Sequence, residues 1–94
     1  MDPLHDLRIK LDDIDGDLVK KLVDRLKICD QIAEVKRDNR IPMMQPHRID
    51  YVRKRCANLA GIHGVNQAFI EDIYALIIDE ACRRQTEIIK APVS

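Results

Sequence analysis

The chain has no tryptophan, and its aromatic rings are three: Tyr51, Phe69 and Tyr74. A 94-residue chain with so few large side chains has a thin core of its own. Oligomerisation is the direct way for it to bury more apolar surface. Cysteine is scarce and odd in number, with Cys29, Cys56 and Cys82 far apart. That excludes a disulfide framework, a CxxC redox pair and the Cys/His spacing of a zinc site. All three fall on apolar faces of expected helices and read as small buried apolar residues in a reducing compartment. No apolar run approaches 18 residues and no signal peptide is visible, so the expectation is a cytoplasmic protein that is not in a membrane. Excess charge of either sign is also missing, with 16 basic and 16 acidic side chains. General nucleic-acid binding needs a strong basic excess, so it is not expected.

What the chain does have is 46% apolar residues and strong helical periodicity. Residues 4–37 read as one long amphipathic helix. Leu4, Leu11, Leu18 and Ile32 step by seven, and Arg25 occupies the missing place in that row. Arg8, Asp15, Leu22, Cys29 and Lys36 form a second such row. A seam of this period packs against other helices, and unpaired charges in it are costly. Gly16 is the weak point of the helix, at about 1 kcal/mol relative to alanine. The apolar step crosses it without a phase shift, so one continuous helix is expected.

The pattern breaks at Asp38–Pro42, and Pro46 suits the first turn of a second helix over about residues 46–60. Ile49, Val52, Cys56, Leu59 and Ala60 make its apolar face. Gly61 and Gly64 bracket a connection, and Asn66 suits the N-cap of a third helix to about Lys90, stopped by Pro92. Phe69, Ile70, Ile73, Leu76, Ile77, Ala81 and Ile88 make that helix's apolar face. No strand, repeat or low-complexity tract is visible. The expectation is an all-α fold of one domain over residues 1–94, with a long, a short and a medium helix.

The seam cations point to chemistry. At about 100° and 1.5 Å per residue, Arg25 and Lys36 lie about 20° apart around the helix and about 16 Å apart along it. They can close on one small anion. Arg8 is about 25 Å from Arg25 and turned roughly 100° away. If all three serve one site, Arg8 must come from a second copy of the chain. His47, beside the loop, has no nucleophile partner and is not expected to be catalytic.

The runs LRxxLDxID, LxxRLxxCDQIAEVK, QPHRI and IYALIIDEACRRQ, in this order over residues 4–90, resemble the all-helical chorismate mutases. The resemblance implies an intertwined homodimeric helical bundle with two shared active sites. It implies a small dicarboxylate substrate, no cofactor and no metal. Residue by residue, Arg8 would reach into the partner's site and Arg25 would hold a substrate carboxylate. Lys36 would contact a carboxylate and the ether oxygen, Arg48 would lie at the site from helix 2, and Gln85 would donate to the ether oxygen. The family reaction is a [3,3] rearrangement of chorismate to prephenate.

Three positions depart from the pattern. Gln45 stands where an acid is usual. Ile49 stands where a glutamate would accept from the ring hydroxyl. Ala81 stands for a common serine near a substrate carboxylate. The first two concentrate at the ring-substituent end of the pocket and leave the exact substrate open. Isochorismate pyruvate-lyases share the scaffold and have an aliphatic residue after this arginine. The PMMQPxR loop, Pro42–Arg48, is similar to that of aminodeoxychorismate mutases. A helical dimer with no catalytic role is the reading from a different class, and the cations in the seam argue against it.

Overall fold

A computed structural model describes residues 2–91 as three helices: α1 His5–Asp38, α2 Pro46–Ile62 and α3 Gln67–Lys90. No strand occurs among the described residues. The stop expected at Pro92 lies outside them. Helix α1 runs through Gly16 without interruption, as the unbroken apolar step implies, and α2 continues two residues beyond the expected end. Among the described residues no helix is long and apolar enough to cross a membrane.

Each boundary has a local cause. Pro46 begins α2, where its missing N–H costs no helical hydrogen bond. Asn66 caps α3, its side-chain oxygen accepting from the Phe69 amide at 3.0 Å. Helix α2 ends in a Schellman motif. The Val65 amide donates to the Ala60 carbonyl at 2.8 Å and the Gly64 amide to the Gly61 carbonyl at 3.1 Å. Gly64 takes the left-handed conformation this requires, at φ 71°. Helix α1 ends in the same way, with Ile41 donating to Lys36 at 2.8 Å and Arg40 to Arg37 at 3.4 Å. There the left-handed position is held by Arg40, at φ 54°. Asn39 sits one place earlier and bonds back to the Val35 carbonyl through its side chain.

Helix α3 packs against both α1 and α2. The most buried residues are small: Ala33, Cys56, Ala57, Ala60 and Ala81, together with Gln85. The helices therefore approach closely at alanines, and among the described residues no large side chain is fully buried. An ion pair from Arg84 on α3 to Asp30 on α1 ties the two helices, with Nε to Oδ1 at 3.0 Å. The Arg84 guanidinium holds the Asp30 carboxyl below the usual carboxylate range.

Much of the apolar surface identified in the sequence is not covered by the chain itself. Residues 4–20 of α1 are exposed throughout, and Leu7 and Ile14 are 61% and 60% exposed. Phe69 and Leu76, placed on the apolar face of α3, are also exposed. They face away from the two intrachain neighbours. Of the cysteines, only Cys56 is buried, while Cys29 and Cys82 are half-buried. The chain extends 59 Å along its longest axis with a radius of gyration of 17.2 Å. A compact domain of this length has about 12 Å. Covering each exposed leucine, isoleucine or valine fully is worth about 1.5–3 kcal/mol. Five such residues are thus comparable to the whole stability of a small domain.

The two Schellman motifs make opposite predictions. An L-residue in the left-handed region costs about 1–2 kcal/mol, partly offset by the backbone entropy that glycine loses on folding. Arg40→Gly is expected to stabilise the fold by up to about 1 kcal/mol, and Gly64→Ala to destabilise it by about the same amount. Urea unfolding of both variants checks the pair, and shifts of equal sign would contradict the assignment.

Candidate active site

The helices enclose a cavity of about 150 Å³ between the C-terminal half of α1, the start of α2 and the stretch of α3 from Ile78 to Gln85. The loop between α1 and α2 forms its rim through Met43, Met44 and Gln45. Arg25, Lys36, Gln45, Arg48, Ile49, Ala81 and Gln85 all line it. Seven of the eight residues named from the sequence therefore converge, from three helices and a loop. Arg8 does not. It lies on the exposed half of α1, 17 positions before Arg25 in one continuous helix. Within one chain it is remote from the cavity.

Lys36 is the most constrained polar group of the site. Its ammonium donates to the Met43 carbonyl at 2.7 Å and to the Gln85 side-chain oxygen at 3.0 Å. An ammonium has three protons and accepts nothing, so one N–H remains for a ligand. The same logic orients Gln85. Only its oxygen can face the ammonium, which leaves the Nε2 protons to donate elsewhere. Gln85 is 8% exposed, and no buried side-chain nitrogen or oxygen among the described residues lacks a partner. Lys36 and Gln85 thus form a linked pair with spare donors and no spare acceptor beyond the amide oxygen already engaged. The Met43 carbonyl was not foreseen as a partner. A backbone group carries no sequence signal.

Gln45 is oriented in turn. Its Nε2 donates to the Pro42 carbonyl at 2.9 Å, so its own carbonyl oxygen is left to accept. Ile49 offers no polar atom beside it. Arg25 has no carboxylate partner among the described residues. Its Nη1 meets the Cys29 sulfur at 3.7 Å and its guanidinium lies 5.7 Å from the centre of the Tyr74 ring. Arg48 lies 5.0 Å from the centre of the Tyr51 ring. No aspartate or glutamate lines the cavity, so three cations face it unneutralised in a chain of zero net charge. The rest of the lining is apolar, with Ile32, Val52 and Ile78 among it. Cys29 and Cys82 line the cavity too, which corrects their reading as core residues. Among the described residues no cluster of His, Cys, Asp or Glu is placed to hold a metal.

A pocket of this kind holds a small apolar body by its anionic groups and offers two donors to a third point. The family model for chorismate mutase type II matches residues 7–86. The chain belongs to the chorismate mutase type II family. It is 46% identical to a 4-amino-4-deoxychorismate mutase of Streptomyces pristinaespiralis over 88 residues, covering 94% of this chain and 68% of that protein. A second 4-amino-4-deoxychorismate mutase, from Streptomyces venezuelae, is 39% identical over 80 residues, covering 85% of this chain and 78% of that protein. A chorismate mutase of Methanocaldococcus jannaschii is 28% identical over 79 residues, covering 84% and 80%. The matched span contains all eight residues named from the sequence, Arg8 included.

Proposed function

We propose that the chain, as a single domain, catalyses the [3,3] rearrangement of 4-amino-4-deoxychorismate to its prephenate analogue. The observation that carries this reading is the pairing of two relatives of that name with a ring-end pocket suited to a donor-only substituent. An ammonium on the ring needs an acceptor, and the Gln45 carbonyl oxygen is free to be one. Ile49 removes the acidic side chain that a ring hydroxyl would use. Chorismate itself is the second reading, favoured by the archaeal relative.

The reaction breaks one C–O bond and forms one C–C bond within a single molecule. Nothing leaves, and no proton, metal or nucleophile is needed. What must be supplied is a compact, chair-like conformation and stabilisation of the charge that grows on the ether oxygen. Arg25 and Arg48, with Arg8 of a second copy, hold the two carboxylates, which fixes the two reacting ends near each other. The remaining Lys36 N–H and the Gln85 amide donate to the ether oxygen as its bond lengthens. They are already in place, so little reorganisation accompanies the step. Loss of one such donor typically lowers the rate by about 10²–10³. Ala81 leaves space where a hydroxyl would otherwise meet a carboxylate.

Completion of the site by a second copy follows from two features of one helix. The first half of α1 leaves its leucines exposed, and it carries Arg8. Two antiparallel α1 helices would bury those leucines and deliver each Arg8 to the other chain's cavity.

A proton NMR time course with separate tubes of 4-amino-4-deoxychorismate, chorismate and isochorismate tests the assignment. The expected result is the amino analogue of prephenate as the fastest-formed product. Faster conversion of chorismate would establish the second reading, and salicylate with pyruvate from isochorismate would move the chain to lyase chemistry. Because an amide does not titrate, the wild-type rate is expected to be level from about pH 5 to 8, whereas Gln85→Glu should be strongly impaired across that range and regain activity only at lower pH, where its carboxyl is protonated. The new carboxyl, beside the Lys36 ammonium, would be held ionised and would stop donating. A wild-type rate that collapses over this range would remove Gln85 from the ether-oxygen role. Inactive Arg8→Ala chains mixed with inactive Arg25→Ala chains should recover up to about a quarter of the wild-type sites, because random pairing gives half mixed dimers with one intact site each. No recovery after confirmed subunit exchange would mean that the sites are not shared.

A further inference from the structure

The arginines that meet an acid or a ring among the described residues are seated in two different ways. Arg37, Arg83 and Arg84 lie on carboxylates: Asp38, the Glu80 and Glu87 pair, and Asp30. Arg25 and Arg48, the two arginines lining the cavity, reach no carboxylate among the described residues. Each lies over a tyrosine ring instead, at 5.7 Å for Tyr74 and 5.0 Å for Tyr51. The chain has only three aromatic residues, and two of them are in these places. Acids are not in short supply, since they equal the bases in number.

The physical difference between the two seats is what they leave free. A carboxylate beneath a guanidinium occupies its N–H fork and cancels its charge. An aromatic face attracts the cation through the ring quadrupole but takes no N–H in-plane. A ring therefore limits where the guanidinium goes while its donors and charge remain available to an incoming carboxylate. Tyr51 precedes Val52 and stands one turn after Arg48 on α2, so that pair is set within one helix. Tyr74 reaches Arg25 from α3 to α1, so that pair also depends on how those helices pack. The Cys56 thiol beside it and partial burial hold the Tyr74 phenol above its ordinary value, so the ring stays neutral and does not become an anion against Arg25. Both rings and both arginines border a second recess, which opens beside the cavity and also contains Arg55. Arg25 and Arg48 thus line both spaces.

We infer that Tyr51 and Tyr74 are positioning residues, each seating one carboxylate-binding arginine by its ring face while leaving that arginine's N–H donors free for substrate. The inference rests on the proposed roles of Arg25 and Arg48 as carboxylate holders. It assigns the ring, not the hydroxyl, as the working part. Replacement by phenylalanine keeps the function and replacement by leucine loses it.

The test has one readout that needs no substrate. A side-chain proton NMR spectrum of the free protein should show the δ-methylene protons of Arg25 and Arg48 shifted upfield by the rings. Those shifts should persist in Tyr74→Phe and Tyr51→Phe, and each should disappear from its own arginine in Tyr74→Leu and Tyr51→Leu. In turnover, each leucine variant should raise KM by roughly three- to tenfold with kcat changed less than twofold, and each phenylalanine variant should match the wild type. Tyr51 is 54% exposed, so its substitution does not disturb the core and this arm stands even if Tyr74→Leu fails to fold. Unchanged arginine shifts in Tyr51→Leu, or a phenylalanine variant as impaired as leucine, would overturn the inference. If the wild type converts none of the three substrates, the proposed function fails, and the free-protein spectra still decide whether the rings seat the arginines.

Discussion

One ammonium group holds the site together. Lys36 sits in the last turn of α1, where the helix is about to end, and its Nζ bonds to the Met43 carbonyl and the Gln85 amide. Those two bonds join three separate parts of the chain: the end of α1, the connecting loop and α3. The Lys36 backbone carbonyl is also engaged, by the Ile41 amide that closes the helix. Main chain and side chain of one residue therefore set both the turn and the cavity rim. The left-handed Arg40 is the cost of turning the chain sharply enough for Met43 to return to Lys36.

The cations of the cavity follow from the same constraint. A lysine with two oxygens on it is partly satisfied and can be kept at the base of an apolar pocket. Arg25, in the leucine seam of α1, and Arg48, at the start of α2, have no such carbonyls and would each be costly if fully buried. They are instead half-buried or exposed and lie against soft partners, a sulfur and two rings. This arrangement stabilises the free protein less than ion pairs would, and it leaves the charges uncompensated until a dicarboxylate arrives. The Arg84–Asp30 pair shows the alternative, a neutralised bridge placed where only packing of α1 on α3 is at stake.

The helices were legible in the sequence because each is marked twice, by periodicity and by its ends. The seven-residue step carried α1 across Gly16, Pro46 opened α2 and Asn66 opened α3. Seven cavity residues were legible because they occupy positions that the apolar pattern reserves for leucine or that match the family runs. Cys29 and Cys82 were misread as buried, and the chain itself does not cover Phe69 and Leu76 on the apolar face of α3, for one reason. Periodicity says which face of a helix is apolar, but not whether that face meets another helix, a cavity or a second chain. The Met43 carbonyl was invisible because every residue has one. The tyrosine seats were missed because a ring stacked on a cation has no spacing rule across two helices, as the Tyr74–Arg25 pair illustrates.

The exposed half of α1 links stability to catalysis. In a chain whose best-buried residues are alanines, a few leucines left uncovered outweigh most of what the interior supplies. Those leucines and Arg8 occupy the same stretch of helix, so any packing that covers the former also fixes the position of the latter. A partner that buried the leucines in another register would displace Arg8 along the axis by about 1.5 Å for each residue of slip. A heptad shift would move it by about 10 Å, beyond the reach of its side chain. Arg25 supplies the register mark, because it interrupts the leucine row at one place and a cation there tolerates only some neighbours. The residue that weakens the seam as a packing surface is thus the one that specifies how two copies would align, and it is also the one that faces the cavity.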